Sequence, residues 1–100
     1  MRKQKLIVAR TPESLAKVLG LSEAEAQEWQ FQHELLSRLK TAVKRERITH
    51  ARLAARAGTS RTRVTAILNG GLEHVSSDLL IRLLAALGYR VRVRISKAAA

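Results

Sequence analysis

Residues 50–70 read HARLAARAGTSRTRVTAILNG, and this stretch carries the strongest structural signal in the chain. Two short helices joined by a turn of about three or four residues can pack at a steep angle only if certain positions are constrained. Ala54 is the small residue needed where the helices cross, and Gly58 tolerates a positive φ in the turn. The apolar residues predicted to face each other are Leu53, Ala57, Val64, Ile67 and Leu68. The spacing predicts a tightly turned helix pair, and a pair with a purely structural role is the alternative.

Hydroxyl side chains mark where the two helices of this pair begin. Thr49 is suited to cap a helix over residues 50–57, and Ser60 is suited to cap one over residues 61–69. Glycine follows both segments, as is typical of helix ends.

A longer helix is predicted before the pair. Ser22 and Glu25 have the spacing of a capping box, and neither glycine nor proline interrupts the chain until Gly58. We predict one helix over residues 23–46, or one broken near residues 30–33. Its apolar stripe consists of Trp29, Leu35, Leu36, Leu39 and Val43. Trp29 is expected to anchor the junction with the N-terminal helix, rather than to stack on a ligand.

Three further elements are predicted towards the ends of the chain. A short helix is expected over residues 12–19, and another from Ser76 or Ser77 to about Leu87. From Tyr89 the period changes to alternation, which predicts a β-strand with one basic and one apolar face. Its alternating residues are Arg90, Val91, Arg92, Val93, Arg94 and Ile95. An isolated strand is unstable, so the partner is either the KLIVA sequence at residues 5–9 or the same strand of a second copy.

Positive charge is concentrated in one quarter of the chain. The 100 residues include 19 Lys and Arg against 8 Asp and Glu, a net charge of +11. This exceeds the magnitude of about 2 to 8 that keeps a small domain soluble. Residues 38–63 hold one acidic residue, Glu46, and nine basic ones: Arg38, Lys40, Lys44, Arg45, Arg47, Arg52, Arg56, Arg61 and Arg63. A polyanionic partner is therefore expected, with a solvated Arg-rich face as the alternative.

The composition argues against several other classes of protein. Without cysteine there is neither a disulfide framework nor a Cys-type zinc site, so the cytoplasm is the expected location. The longest stretch free of Asp, Glu, Lys and Arg has nine residues, Val64–Leu72, against about 20 needed to span a bilayer. The three histidines lack metal-ligand spacing, and no carboxylates are paired for acid–base chemistry. We expect no enzyme activity, no metal, no cofactor and no membrane association.

The outward face of the second helix of the pair carries groups that can read DNA. If Val64 and Ile67 are buried, the helical period leaves the opposite face of this helix exposed, including its amino-terminal half. In helix-turn-helix proteins this amino-terminal part of the second helix enters the major groove. Arginine pairs with guanine, threonine hydroxyls bond several bases, and small methyl groups pack on thymine. The predicted base contacts are Arg61, Thr62 and Arg63, with Thr65 and Ala66 as secondary ones. For either arginine, a contact to phosphate alone is the alternative.

The starts of the two helices are predicted to hold phosphates, because backbone amides point outward there. The predicted phosphate contacts are Thr49, His50 and Ser60, with Arg52 and Asn69 as lesser candidates.

Four stretches together resemble a known family. They are LGLSEAEA at residues 19–26, LLSRLKTAV at 35–43, ITHARLAARAGTSRTRVTAILNGG at 48–71 and VSSDLLIRLLAALGYRVRVRI at 75–95. They are similar to the Cro and phage-repressor (XRE) helix-turn-helix class, and in particular to HigA-type antitoxins and related regulators. The resemblance covers about residues 14–96, although His50 and Arg61 stand where many relatives have glutamine.

The resemblance implies an all-α, lambda-repressor-like bundle of about five helices, with an N-terminal arm and a C-terminal β-strand. We expect an arm and short helix over residues 1–21, a DNA-binding domain over 22–96 and a tail over 97–100. Family members are usually dimeric, and they often repress their own operon and neutralise an mRNA-cleaving toxin.

The leading hypothesis is a homodimeric repressor that binds a pseudo-palindromic double-stranded operator as the antitoxin of a toxin–antitoxin pair, with residues 1–20 covering the toxin. An XRE-family regulator without a toxin is the alternative. An RNA-binding or architectural protein that uses charge alone is a third hypothesis.

Overall fold

The computed structural model describes Lys17 and residues 20–97. This part of the chain contains four α-helices: α1 (Glu23–Glu46), α2 (His50–Ala57), α3 (Arg61–Leu68) and α4 (Ser77–Ala86). The predicted all-α class is therefore confirmed. The helix predicted over residues 12–19 lies outside the described residues except for Lys17, which is helical. The five-helix count is accordingly not reproduced, since the described residues form four helices.

Helix α1 begins at the predicted capping box. The Ser22 hydroxyl accepts a hydrogen bond from the Glu25 backbone N–H at 3.1 Å, and the Glu25 carboxylate accepts one from the Ser22 backbone N–H at 3.0 Å. The bond from the Ser22 backbone, together with the bond to its side chain, lowers the pKa of Glu25. The helix continues through residues 30–33 without a break and ends at Arg47, which has a φ of 53°.

The pair α2–α3 has the predicted local structure. Thr49, Ser60 and Ser76 cap α2, α3 and α4 through their hydroxyls. Gly58 ends α2 with a φ of 73°, a left-handed conformation that costs glycine little.

One aliphatic core joins all four helices. Leu53, Val64 and Ile67 pack there as predicted, and each is at most 1% exposed. From α1 and α4 the core receives Leu35, Leu36, Leu39, Ala42, Leu79, Leu80, Leu83 and Leu84. Helix α3 packs against α2 and α1, so its buried face is supported from behind.

Trp29 is 40% exposed and stacks on His33, with ring centroids 3.8 Å apart. The helix that it is predicted to anchor lies outside the described residues, so that role stays a prediction.

The prediction of a C-terminal β-strand is wrong, because residues 89–97 have no regular secondary structure. Tyr89 is fixed at two points: its N–H donates to the Leu84 carbonyl at 3.0 Å and its hydroxyl donates to the Glu46 carboxylate at 3.1 Å. Beyond it no backbone N–H or carbonyl bonds to another described backbone group. The physical reason is that no second strand lies among the described residues to supply partners. The candidate partner at residues 5–9 lies outside them.

Candidate nucleic-acid interface

Helix α3 presents its amino-terminal half to solvent. Arg61, Thr62, Arg63 and Ala66 are exposed, whereas Val64 on the opposite face is completely buried. Four of the five predicted base-contacting residues are thus exposed on α3. The fifth, Thr65, is half-buried.

The hydroxyls of Thr49 and Ser60 are already used within the protein. The Thr49 hydroxyl accepts from the Arg52 backbone N–H at 3.2 Å, and the Ser60 hydroxyl accepts from the Arg63 backbone N–H at 3.1 Å. Each hydroxyl keeps its own hydrogen, which can be donated to a phosphate oxygen. Capping and phosphate binding are therefore compatible at both helix starts.

A hydrogen bond connects the start of α2 to the middle of α3. His50 Nδ1 lies 2.8 Å from the Thr65 hydroxyl oxygen. When Nδ1 accepts this bond, the ring hydrogen is on Nε2 and can be donated outward to a phosphate. This contact couples a predicted phosphate ligand to a predicted base reader. The sequence gives no signal for it, because the contact depends on the angle between the two helices.

Arg63 is held by the loop that precedes α4. Its guanidinium Nη2 donates to the backbone carbonyl of His74 at 2.7 Å, and His74 has a positive φ of 60°. The guanidinium has further N–H groups available, so the bond orients the side chain without using up its donors. The path of the loop, which no sequence pattern specifies, creates this contact.

Asn69 lies exposed at the carboxyl end of α3, where its backbone N–H bonds to the carbonyl oxygens of Thr65 and Ile67. This position is at the opposite end of the helix from the exposed arginines Arg61 and Arg63. The structure does not bring Asn69 together with the other predicted phosphate contacts at the helix starts.

Most of the positive charge over residues 38–63 has no ion-pair partner among the described residues. Within the described residues the ion pairs are Arg38 with Glu34 at 3.9 Å and Arg82 with Asp78 at 3.7 Å, both exposed. The arginines in the described part that have neither an ion pair nor a side-chain hydrogen bond include Arg45, Arg47, Arg52, Arg56 and Arg61. Three of these, Arg47, Arg52 and Arg56, line a shallow depression of about 170 Å³ beside Glu46. Of these three, Arg52 is a predicted lesser phosphate contact, whereas Arg47 and Arg56 were not predicted as contacts, although the charge count over residues 38–63 includes them.

The described residues contain neither a cluster of metal-ligand side chains nor a helix suited to span a membrane. Between Gly20 and Lys97, and at Lys17, no three His, Asp or Glu side chains gather as a metal site would require. The helices in the same residues include none with the length and hydropathy of a membrane span.

Comparison with known proteins gives two matches. A family model described as a helix-turn-helix domain matches residues 18–96. A solved structure provisionally named an XRE family transcriptional regulator is 36% identical, with a TM-score of 0.66. The match covers 76% of this chain and 91% of that protein. No match was found among curated proteins.

Proposed function

The chain belongs to the helix-turn-helix domain family. We propose that it is a sequence-specific DNA-binding repressor that acts as a homodimer. DNA binding and transcription regulation are the general properties of such regulators. The observation that carries the proposal is the open face of α3, where exposed arginine and threonine side chains lie on a helix whose other face is locked into the core.

The proposed base contacts follow from side-chain chemistry and exposure. Arg61 has no intramolecular partner among the described residues, which leaves its whole guanidinium for the O6 and N7 atoms of a guanine. Arg63 is proposed to read a second base from the orientation that His74 imposes. Thr62 offers a hydroxyl and Ala66 offers a methyl group for thymine, whereas Thr65 acts mainly through its bond to His50.

The proposed phosphate contacts surround this face. Thr49, His50 and Ser60 stand at the starts of α2 and α3, where backbone amides and the helix dipole favour an anion. Arg52 adds an uncompensated charge on α2, and Asn69 is retained as a lesser contact. In a homodimer, two copies of α3 would lie about 34 Å apart along a pseudo-palindromic operator.

The experiment compares two arginine substitutions by fluorescence anisotropy, using duplexes from the chain's own promoter region and scrambled duplexes. Arg61→Ala removes one positive charge from α3, and Arg38→Ala removes one from α1, where Arg38 pairs with Glu34. We expect Arg61→Ala to weaken specific binding by about 1 to 3 kcal/mol and Arg38→Ala to have little effect. Equal losses for the two variants on both duplexes would contradict base reading and favour binding by charge alone.

We further propose that the repressor is the antitoxin of a toxin–antitoxin pair and regulates its own operon. The proposal is supported by the resemblance of residues 75–95 to HigA-type antitoxins. An XRE-family regulator with no toxin is the alternative. The test is to find any small protein encoded next to the chain and to co-express the two, with and without residues 1–20. If the variant without residues 1–20 still binds DNA but no longer neutralises the toxin, the proposal is supported. If the neighbouring protein does not inhibit growth even when the chain is absent, the proposal is contradicted.

A further inference from the structure

The hydrogen bond between His50 and Thr65 joins two side chains that are both half-buried. His50 Nδ1 lies 2.8 Å from the Thr65 hydroxyl oxygen. Among the described residues, neither His50 Nε2 nor the Thr65 hydroxyl makes a further hydrogen bond. Each side chain therefore keeps hydrogen-bonding capacity for a ligand.

The two residues belong to the two kinds of contact proposed for DNA. Thr65 lies on α3 one turn after Arg61 and directly before Ala66, both of which are exposed. His50 is the first residue of α2, immediately after the Thr49 cap. The bond therefore connects a proposed phosphate contact with a residue at the edge of the proposed base-reading face.

The direction of the bond depends on the hydrogens that His50 carries. A hydroxyl group has one hydrogen to donate and two lone pairs that accept. If Nδ1 has no hydrogen, it accepts the hydrogen of Thr65, whose hydroxyl oxygen can then only accept from a base. If Nδ1 has a hydrogen, it donates to the Thr65 oxygen, and the Thr65 hydrogen is free to be donated elsewhere.

A phosphate bound at His50 restricts the ring to two states. Phosphate oxygens accept hydrogen bonds, so Nε2 must carry a hydrogen in order to bond to one. The neutral ring then has no hydrogen on Nδ1, whereas the protonated ring has a hydrogen on both nitrogens. In the DNA complex, the neutral ring therefore leaves Thr65 as an acceptor only, and the protonated ring frees its hydrogen.

We propose that the protonation of His50 determines which base edges Thr65 reads. With neutral His50, Thr65 accepts a hydrogen bond from the exocyclic amine of adenine or cytosine. With protonated His50, Thr65 also donates to the O6 atom of guanine or the O4 atom of thymine. Thr65 is the base-contacting residue, and His50 is a positioning residue that acts through it. The inference rests on the proposed DNA binding and adds a proton-dependent preference at one base pair.

The charges near His50 bear on its proton uptake when DNA binds. Helix α2 packs against α3 and α4. Glu46, at the end of α1, accepts from the Tyr89 hydroxyl. The charged residues on α2, on the two helices packed against it and in the segment before it are Arg47, Arg52, Arg56, Arg61, Arg63, Asp78 and Arg82, of which the last two form an ion pair. A phosphate bound at Nε2 adds a negative charge beside the ring and favours its protonated form. DNA affinity should therefore rise as the pH falls.

A chain with one histidine provides the background for the test. The sequence contains three histidines, so His33→Gln together with His74→Asn leaves His50 alone. Neither substituted side chain is a proposed DNA contact, and the His74 group that accepts from Arg63 is a backbone carbonyl. Fluorescence anisotropy is measured at about pH 5.5 and about pH 8, the range in which histidine ordinarily changes charge. The probes are the promoter duplex and its single-base-pair substitutions.

We expect the single-histidine chain to bind the promoter duplex more tightly at the lower pH. At one base pair, its preference should change by about two- to tenfold between the two pH values, the effect of one hydrogen bond. At the higher pH the base facing Thr65 should be one that presents an amine, whereas guanine or thymine should be tolerated there at the lower pH.

Three further substitutions in this background separate the two roles. Thr65→Val should abolish the pH-dependent preference but keep the rise in affinity at low pH, because His50 still binds phosphate. Thr65→Ser keeps a hydroxyl and should retain both effects, whereas His50→Asn has no titrating group and should abolish both. If Thr65→Val instead weakens binding to every duplex equally at both pH values, the bond is only structural and the proposal is overturned.

The hydrogens on the ring can be observed directly in the DNA complex. Long-range proton–nitrogen NMR spectra of the single-histidine chain distinguish a hydrogen on Nδ1 from one on Nε2. We expect the hydrogen of the neutral ring to be on Nε2, and a hydrogen on Nδ1 alone would overturn the proposal.

Failure of this inference can be distinguished from failure of the proposed function. Specific binding with the same base preference at both pH values would overturn the inference and leave the proposed function intact. Equal binding to promoter and scrambled duplexes at both pH values would contradict the proposed function, and this inference with it.

Discussion

The helix pair α2–α3 and the C-terminal residues 89–97 both carry regular sequence patterns, but they differ in where their partners lie. The pair finds its partners within the chain: Leu53 and Ile67 meet in the core, and each helix begins at its own cap. The C-terminal residues have no such partners among the described residues beyond Tyr89. A pattern thus predicts which face of a segment is apolar, while the element forms only if something is present to cover that face.

The largest expected difference between the two regions is in stability. Leu53→Ala empties a position that is 0% exposed and should lower the free energy of unfolding by about 2 to 5 kcal/mol. Val93→Ala should change it by less than about 0.5 kcal/mol in dilute solution, because Val93 is exposed in the single chain. Urea unfolding measures both, and similar losses would contradict the assignment of the two environments.

DNA binding should distinguish the regions next. Arg63→Ala removes a guanidinium from α3 and should cost about 1 to 3 kcal/mol on the specific duplex, with relaxed preference at one base pair. Arg94→Ala removes the same charge from the C-terminal segment and should weaken specific and scrambled duplexes alike, by a smaller amount. Anisotropy titrations with single-base-pair substitutions provide the measurement. If Arg63→Ala weakens binding equally on every duplex, Arg63 contacts phosphate and does not read a base.

Helix caps should have a smaller effect. Ser60→Ala removes the acceptor for the Arg63 backbone N–H and should cost about 1 kcal/mol of stability. Ser96→Ala removes a hydroxyl from the segment without regular structure and should cost nothing measurable. Thermal unfolding of both variants tests the comparison. An unchanged midpoint for Ser60→Ala would show that this cap does not stabilise α3.

The contact between His50 and Thr65 should contribute a comparable or smaller amount. Thr65→Val preserves the shape of the side chain but removes the hydroxyl at 2.8 Å from His50, and should cost about 0.5 to 1.5 kcal/mol. Thr62→Val, at an exposed position with no described hydrogen bond, is the matched control and should leave stability unchanged. Equal effects of the two substitutions on urea unfolding would mean that the bond contributes nothing.

The smallest expected effect is a pH dependence at the start of α1. Hydrogen bonds to Ser22 lower the pKa of Glu25 in the folded chain. The ionised Glu25 carboxylate therefore stabilises the fold at pH values above the pKa that Glu25 has in the unfolded chain, and this stabilisation is lost as the pH falls through its pKa in the folded chain. Glu25→Gln should therefore lose less stability on acidification than Glu28→Gln, which leaves the capping box intact. Identical pH profiles would contradict this assignment.

The local parts of the fold could be predicted from the sequence, and the contacts between elements could not. The capping box at Ser22 and the turn at Gly58 depend on neighbouring residues alone, and both are as predicted. Exposure of Arg61 and Thr62 follows from the helical period once Val64 and Ile67 are buried. These outcomes required only spacing and residue type.

The bond between Arg63 and His74 depends on the path of a loop and on one side-chain rotamer, which spacing does not encode. The error over residues 89–95 has a related cause, since alternation carries no information about whether a partner strand is present. The placement of the DNA contacts stays a prediction for the same reason: the duplex is a partner outside the chain.

The most direct test of the central claim, that α3 lies in the major groove, attaches a DNA-cleaving iron chelate to a single cysteine. Ala66→Cys places the reagent on the exposed face of α3, and Arg38→Cys places it on α1 beside the groove formed with residues 89–94. We predict that the reagent at position 66 cleaves a promoter duplex at two symmetric positions about one helical turn apart, and that the reagent at position 38 does not. Uniform cleavage from position 66, or stronger cleavage from position 38, would contradict the proposed mode of DNA recognition.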